Sequence, residues 1–167
     1  MTIQMKDILL MHQLCKACKE DFTSHSFNLA CNTLEGGHLF YTKIASASQY
    51  DDTTGIVKHC TNYLSHINPE KWTWIIDFAG FGLKHTLGLN TGIQLSKLVN
   101  TFGRLHQLVI ININPFVEQM LKMIKLTLNK EYHHCIYIVH SNAELKNIIE
   151  KWTILDLKKE TLLSYIS

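Results

Sequence analysis

Arginine is almost absent from this sequence, in which Arg104 is the only one. Proteins that read bases or clamp phosphates usually rely on the forked arginine side chain, which lysine replaces poorly. The formal net charge of +2 is also too small to indicate a polyanionic partner. We therefore expect no nucleic-acid partner.

Long apolar runs and flexible linkers are also missing. No stretch approaches the roughly 20 consecutive apolar residues of a membrane span. The first residues lack the basic and apolar regions of a signal peptide, so we expect none. Only Pro69 and Pro115 occur, and no stretch rich in glycine, serine and proline divides the chain. Residues 1–167 are accordingly predicted to form one domain.

The five cysteines are scattered and odd in number, which indicates reduced thiols and a cytoplasmic location. Cys15 and Cys18 form a CxxC motif that could be a redox pair, or half of a zinc site with His12 or His25. A zinc site of the usual kind needs a second ligand pair at matching spacing, and only the segment 133–135 could offer one. Residues 133–135 flank a predicted strand start, and nothing in the sequence directs their side chains toward the CxxC motif. We therefore expect no metal and no cofactor, apart from the bound lipid discussed below.

Motifs for catalysis are incomplete. Residues 80–86 follow an apolar strand and contain two glycines, but they match neither GxxxxGK[ST] nor GxGxxG. Asp77 closes that strand, and without a phosphate loop we expect it to anchor the following turn. The ten histidines show no motif spacing with a nucleophile. The sequence therefore predicts a protein that is not an enzyme.

Strands and helices alternate along the chain, which predicts an α/β fold with a largely parallel sheet. Residues 72–78 and 108–113 are apolar on both faces and are predicted to be adjacent central strands. Flanking elements follow from hydrophobic spacing, turn residues and a capping box at Ser141. The remaining predicted elements are helices at 4–20, around 56–67, around 95–102, 116–129 and after 141, and strands at 27–31, 38–44 and 135–139.

The segment 116–129 is apolar around most of its circumference, with one narrow polar stripe formed by Glu118, Lys122, Lys125 and Asn129. An ordinary surface helix buries a stripe only about 100° wide. The segment is therefore either a deeply packed helix, or a helix that packs on the sheet on one side and covers an apolar cavity or meets a membrane on the other.

Several segments resemble the CRAL-TRIO lipid-binding family. Residues 74–81 are similar to a strand of that family in which apolar residues are followed by Asp and then Gly-Phe. Residues 111–115 and 122–125 are similar to its strand ending in Asn-x-Pro and to the Lys-x-x-Lys core of its long apolar helix. The glycine hairpin at 35–41 and the strand and capped helix from 136 also match in order. The resemblance covers about residues 26–152 and divides the predicted domain into an N-terminal helical segment (1–25), a core (26–152) and a C-terminal extension (153–167).

This resemblance implies a mixed, largely parallel β-sheet covered by helices on one face, with an apolar lipid pocket under a gate helix on the other. It implies binding, and transfer or presentation, of a phospholipid, a phosphoinositide such as phosphatidylinositol, or another lipid. The expected location is cytoplasmic with peripheral, transient contact with membranes. The alternative is a protein-interaction scaffold of the same fold that has lost its lipid and binds another protein.

Strand alternation and the position of the gate helix give the candidate site residues. The predicted pocket wall consists of Ile76, Phe78, Ile111, Ile113, Phe116, Met120 and Met123. Lysines on or beside the gate helix are predicted to contact anionic headgroups at a membrane. These are Lys122, Lys125 and Lys130.

Overall fold

The structure, a computed structural model, describes residues 15–21, 23–85 and 88–164. Five strands form one sheet in which spatial order follows chain order. They are β1 (Asn28–Asn32), β2 (His38–Lys43), β3 (Trp72–Asp77), β4 (Leu105–Ile111) and β5 (Ile136–Ile138). The first two are antiparallel, and every later neighbour is parallel. The predicted hairpin and the parallel, adjacent central strands are confirmed.

Six α-helices connect and flank these strands in the described part of the chain. They are α1 (Lys16–Glu20), α2 (Thr53–Ile67), α3 (Gly88–Phe102), α4 (Pro115–Thr127), α5 (Asn142–Glu150) and α6 (Asp156–Ser164). Most of the helix predicted at 4–20 lies outside the described residues. The strand predicted at 108–113 begins earlier, at Leu105, and ends at Ile111. The sequence analysis did not predict the 3-10 segment Lys130–Cys135 or α6.

Short polar side chains set where the main helices begin. The Asp52 carboxylate accepts a hydrogen bond from the Gly55 amide at the start of α2. The side-chain oxygen of Asn114 accepts one from the Val117 amide at the start of α4. Such N-caps satisfy amides that have no partner within the helix, and each contributes about 1 kcal/mol.

Helices cover both faces of the sheet. On one face, α5 and α6 bury the strand residues Leu39, Ile75, Val109 and Ile111. On the opposite face, α2 and α3 pack on an aromatic cluster that includes Phe27, Phe40, Trp72 and Trp74. The predicted α/β fold class, a five-stranded, mostly parallel sheet with helices, is confirmed. Helix α4 lies on this second face too, so the face expected to carry only the gate helix also carries α2 and α3. These two helices bury the aromatic side chains of that face.

Asp77 joins the carboxyl ends of the three central strands. Its carboxylate accepts hydrogen bonds from the Tyr41 hydroxyl at 2.6 Å, the Asn112 side-chain amide at 2.8 Å and the Ala79 backbone amide at 2.8 Å. Tyr41 lies in β2 and Asn112 follows β4, so one fully buried carboxylate connects three neighbouring strand ends. The bond to Ala79 makes Asp77 the anchor of the following turn, as the sequence analysis predicted.

Removing the Asp77 carboxylate should therefore destabilise the fold. We expect Asp77→Ala to lower the free energy of unfolding by about 3 kcal/mol, since three donors lose a charged acceptor. Tyr41→Phe, the matched control, removes one of the three bonds and should cost about 1 kcal/mol. Urea denaturation of the three proteins measures both differences. Equal effects of the two substitutions would show that the carboxylate does not connect the strands.

Candidate functional site

A cavity of about 390 Å³ lies between the sheet and helices α3 and α4. Small-molecule sites usually enclose about 300–1,000 Å³, so the cavity is large enough for a ligand. Apolar side chains of β3, β4 and β5 form its floor, together with Phe78, the residue that follows β3. These include Trp74, Ile76, Phe78, Leu108, Ile110 and Ile136.

The register of β3 and β4 decides which residues reach the floor. Ile76 pairs with Ile110, and Asp77 pairs with Ile111. Paired residues on neighbouring strands point to the same face, and successive residues point to opposite faces. Ile110 therefore lies beside Ile76 on the cavity floor, whereas Ile111 packs beneath α5 on the other face.

The two helices above the floor approach each other closely at Gly92 of α3. A Cβ atom at this position would overlap the Cδ1 atom of Ile124 in α4. Gly92 therefore leaves room for the Ile124 side chain of α4, which lies above the cavity. The helix residues that line the cavity are Ile56 of α2, Gly88, Thr91, Gly92, Leu95, Ser96 and Val99 of α3, and Glu118, Met120, Leu121, Lys122, Ile124 and Lys125 of α4.

Both ends of α4 are fixed by asparagine side chains. The Asn114 amide group donates a hydrogen bond to the Phe81 carbonyl at 3.2 Å, beside the N-cap described above. At the other end, the Asn100 amide group donates to the Thr127 carbonyl and its oxygen accepts from the Asn129 amide, each at 2.8 Å. Between these ends, the only buried α4 side chains are Val117 and Met120. The helix is thus anchored at its ends and lightly held along its length.

Polar side chains line the opening of the cavity, while its interior is mostly apolar. Lys122, Lys125 and His140 line the cavity and are also exposed, and Glu118 is half-buried. A site with an apolar interior and a charged opening suits an amphiphile whose polar group remains near water.

His85 supports the loop beside the cavity. Its ring lies 4.7 Å from the Tyr50 ring and 5.1 Å from the Phe81 ring, and both of these residues line the cavity. Burial, assisted by the neighbouring Lys84 charge, lowers the pKa of His85. The neutral imidazole accepts a hydrogen bond from the Gly82 amide at its Nδ1 atom, 2.9 Å away.

The outer side of α4 is unusually apolar for a surface. Phe116, Met123 and Leu126 are 41%, 52% and 85% exposed. Tyr137 and Ile138 of β5 are each 40% exposed as well. Exposed apolar side chains clustered on one helix are typical of surfaces that bind membranes or proteins.

The structure distributes the predicted wall residues over several places. Ile76, Phe78 and Met120 line the cavity, and their contact with a lipid stays a prediction. Contrary to the prediction, Ile111 lies on the opposite sheet face and Ile113 packs beside the cavity without lining it. Phe116 and Met123 are on the outer side of α4. The strand 108–111 is apolar at every position, so the sequence offered no alternation from which to assign its faces.

The predicted headgroup lysines also separate into two groups. Lys122 and Lys125 lie at the cavity opening, whereas Lys130 is exposed in the 3-10 segment and lines no part of it. The α3 wall was not predicted at all. Its periodic Leu95 and Val99 identified a helix, and the small residues Gly92 and Ser96 on the same side were the available signal for a close helix contact.

Comparison with known proteins gives one family assignment. No curated protein matches the sequence. Among the described residues, no helix is both long enough and apolar enough to cross a membrane. The model of the CRAL/TRIO domain family matches residues 34–156, which include β2 to β5, helix α4 and nearly all of the cavity wall. The chain therefore belongs to the CRAL/TRIO domain family, whose members bind or transfer lipophilic ligands.

Proposed function

We propose that this protein holds one amphiphilic lipid in the cavity beneath α4 and presents or transfers it at membranes, without catalysing a reaction. The observation that carries the proposal is the mostly apolar 390 Å³ cavity whose opening is lined by Lys122 and Lys125. Acyl chains would occupy the interior, and an anionic headgroup such as that of phosphatidylinositol would lie near the lysines.

Burial of the acyl chain supplies the binding energy. Each CH₂ group removed from water contributes about 0.8 kcal/mol. Trp74, Ile76 and Ile110 provide the apolar contacts along the floor. Few polar groups face the interior, so selectivity would depend on the headgroup at the opening rather than on the chain.

Exchange of the lipid requires α4 to move. Only two of its side chains are buried, so the hydrogen bonds of Asn114 and Asn100 at its ends are the main contacts that such a movement has to break. The exposed Phe116, Met123 and Leu126 would enter the membrane interface while Lys122, Lys125 and Lys130 meet anionic headgroups. This supports a cytoplasmic protein that associates with membranes peripherally. None of the described cysteines forms a disulfide, which suits that compartment.

The second candidate is a scaffold that binds another protein and no lipid. The exposed apolar side of α4 would serve it equally well. The open cavity favours the lipid, because a scaffold would gain stability from filling that volume with side chains.

Native mass spectrometry of the purified protein tests the proposal directly. We expect a mass increment that disappears on organic extraction and is identified as a lipid in the extract. A bare chain after expression in eukaryotic cells, together with no uptake from lipid vesicles, would support the scaffold instead.

Met120 and Met123 provide a matched pair on the same helix. Met120 is 6% exposed and lines the cavity, whereas Met123 is 52% exposed on the outer side. We expect Met120→Asp to abolish lipid loading, because an unpaired carboxylate in an apolar site costs several kcal/mol. Met123→Asp should keep the bound lipid and slow transfer between vesicles. Thermal melting shows whether both variants remain folded, and full lipid loading of folded Met120→Asp would contradict the assigned wall.

The lysines at the opening should select for anionic lipids. Each basic residue near an anionic surface contributes about 1 kcal/mol, so we expect Lys122→Gln and Lys125→Gln each to weaken binding to phosphatidylinositol vesicles about fivefold. Binding to phosphatidylcholine vesicles should change little. Lys151→Gln, at the end of α5 on the other face of the sheet, is the control. Equal weakening for both vesicle types would place the headgroup elsewhere.

A further inference from the structure

Four metal-binding side chains converge at the end of the cavity where the N-terminal segment meets α2. The donor atoms of Cys15, Cys18, His25 and His59 all lie within 4.8 Å of one another. Cys18, His25 and His59 are 3%, 3% and 2% exposed, and Cys15 is half-buried. We propose that these four residues hold a structural Zn²⁺ ion.

The distances between donor atoms are those of a tetrahedral site. With Zn–S near 2.3 Å and Zn–N near 2.05 Å, tetrahedral geometry places sulfur and nitrogen about 3.6 Å apart. His25 Nδ1 lies 3.4 Å from Cys15 Sγ and 3.5 Å from Cys18 Sγ. His59 Nδ1 lies 3.6 Å from Cys18 Sγ. One imidazole nitrogen facing two sulfurs is better explained by a shared ion than by thiol hydrogen bonds alone.

The outer nitrogen of each imidazole has an acceptor beside it. His59 Nε2 donates to the Phe27 carbonyl at 3.3 Å, and His25 Nε2 lies 3.4 Å from an Asp52 carboxylate oxygen. Zinc-binding histidines usually donate their second N–H to a carbonyl or carboxylate, which directs the other nitrogen to the metal. Gly55 leaves room for this arrangement, since a Cβ there would overlap the Asp52 carboxylate.

The donor set identifies the metal. Two thiolates and two imidazoles in a four-ligand set are typical of structural Zn²⁺, whereas Ca²⁺ and Mg²⁺ require oxygen ligands. Four protein ligands leave no position for a reactive water, so the ion would stabilise the fold without catalysis.

This proposal reverses the expectation drawn from the CxxC motif alone. That expectation rested on the lack of a second ligand pair at matching spacing. His25 was considered there as a single ligand, and His59 is supplied by α2, far along the chain. The ion would join the segment around α1 to α2. His25 also lines the cavity, so the ion would secure one end of the lipid site.

Elemental analysis of the full-length protein tests the site. Protein expressed with zinc supplementation and purified under reducing conditions should retain equimolar zinc after a mild chelator wash. Cys15→Ser should lose most of the zinc, since it removes a half-buried ligand at little cost to packing. Cys135→Ser is the matched control, because Cys135 Sγ lies 3.4 Å from His134 Nε2 outside the cluster. It should keep the full zinc content.

Cobalt substitution gives a second readout that does not depend on any variant. Co²⁺ bound to the wild-type chain should show thiolate-to-cobalt charge transfer and the visible bands of tetrahedral coordination. Strong chelation should also lower the melting temperature of the wild type but not that of Cys15→Ser. Wild-type protein without zinc and without a tetrahedral cobalt spectrum would overturn the proposal. A Cys15–Cys18 disulfide in protein isolated with thiols trapped would do so as well, in favour of a redox pair.

Discussion

The hydrogen bonds of one buried carboxylate position the floor of the binding site. Asp77 connects Tyr41 of β2, the turn after β3 and Asn112 after β4. Because parallel strands end at the same edge of a sheet, a single acceptor there can hold all three in register. That register places Ile76 beside Ile110 and thereby determines which side chains face the cavity.

The cavity itself opposes stability, because the apolar side chains that line it have fewer protein neighbours than side chains in a packed core. The surrounding structure compensates for this on both sides. The aromatic cluster under α2 and α3 contains Phe27, Phe40 and Trp74 in contact at ring distances of 4.8–5.3 Å. On the other sheet face, α5 and α6 complete a continuous apolar layer. The well-packed regions can therefore support a helix, α4, that is held mainly at its ends.

The proposed zinc site and the cavity beneath α4 share His25 as a common boundary. A bound metal ion often orders a segment that buries too little apolar surface to fold alone. Cys18 is the one buried residue of the short helix α1, so a bound ion would add a link to α2 that side-chain burial within this helix does not supply. Ordering this segment would close one end of the cavity, at a distance from the proposed opening at α4.

The sequence by itself determined the alternation of strands and helices, the hairpin, the caps and the unusual apolarity of α4, because hydrophobic period and turn residues are local properties. It also carried the family resemblance, and it identified Ile76, Phe78 and Met120 as wall residues. Only the tertiary structure decided the faces of β4, since its residues 108–111 are all apolar and show no alternation, and its register is set by pairing with β3. It likewise decided the α3 wall and the meeting of His59 with Cys15, Cys18 and His25, because contacts between distant segments depend on how the helices pack on the sheet.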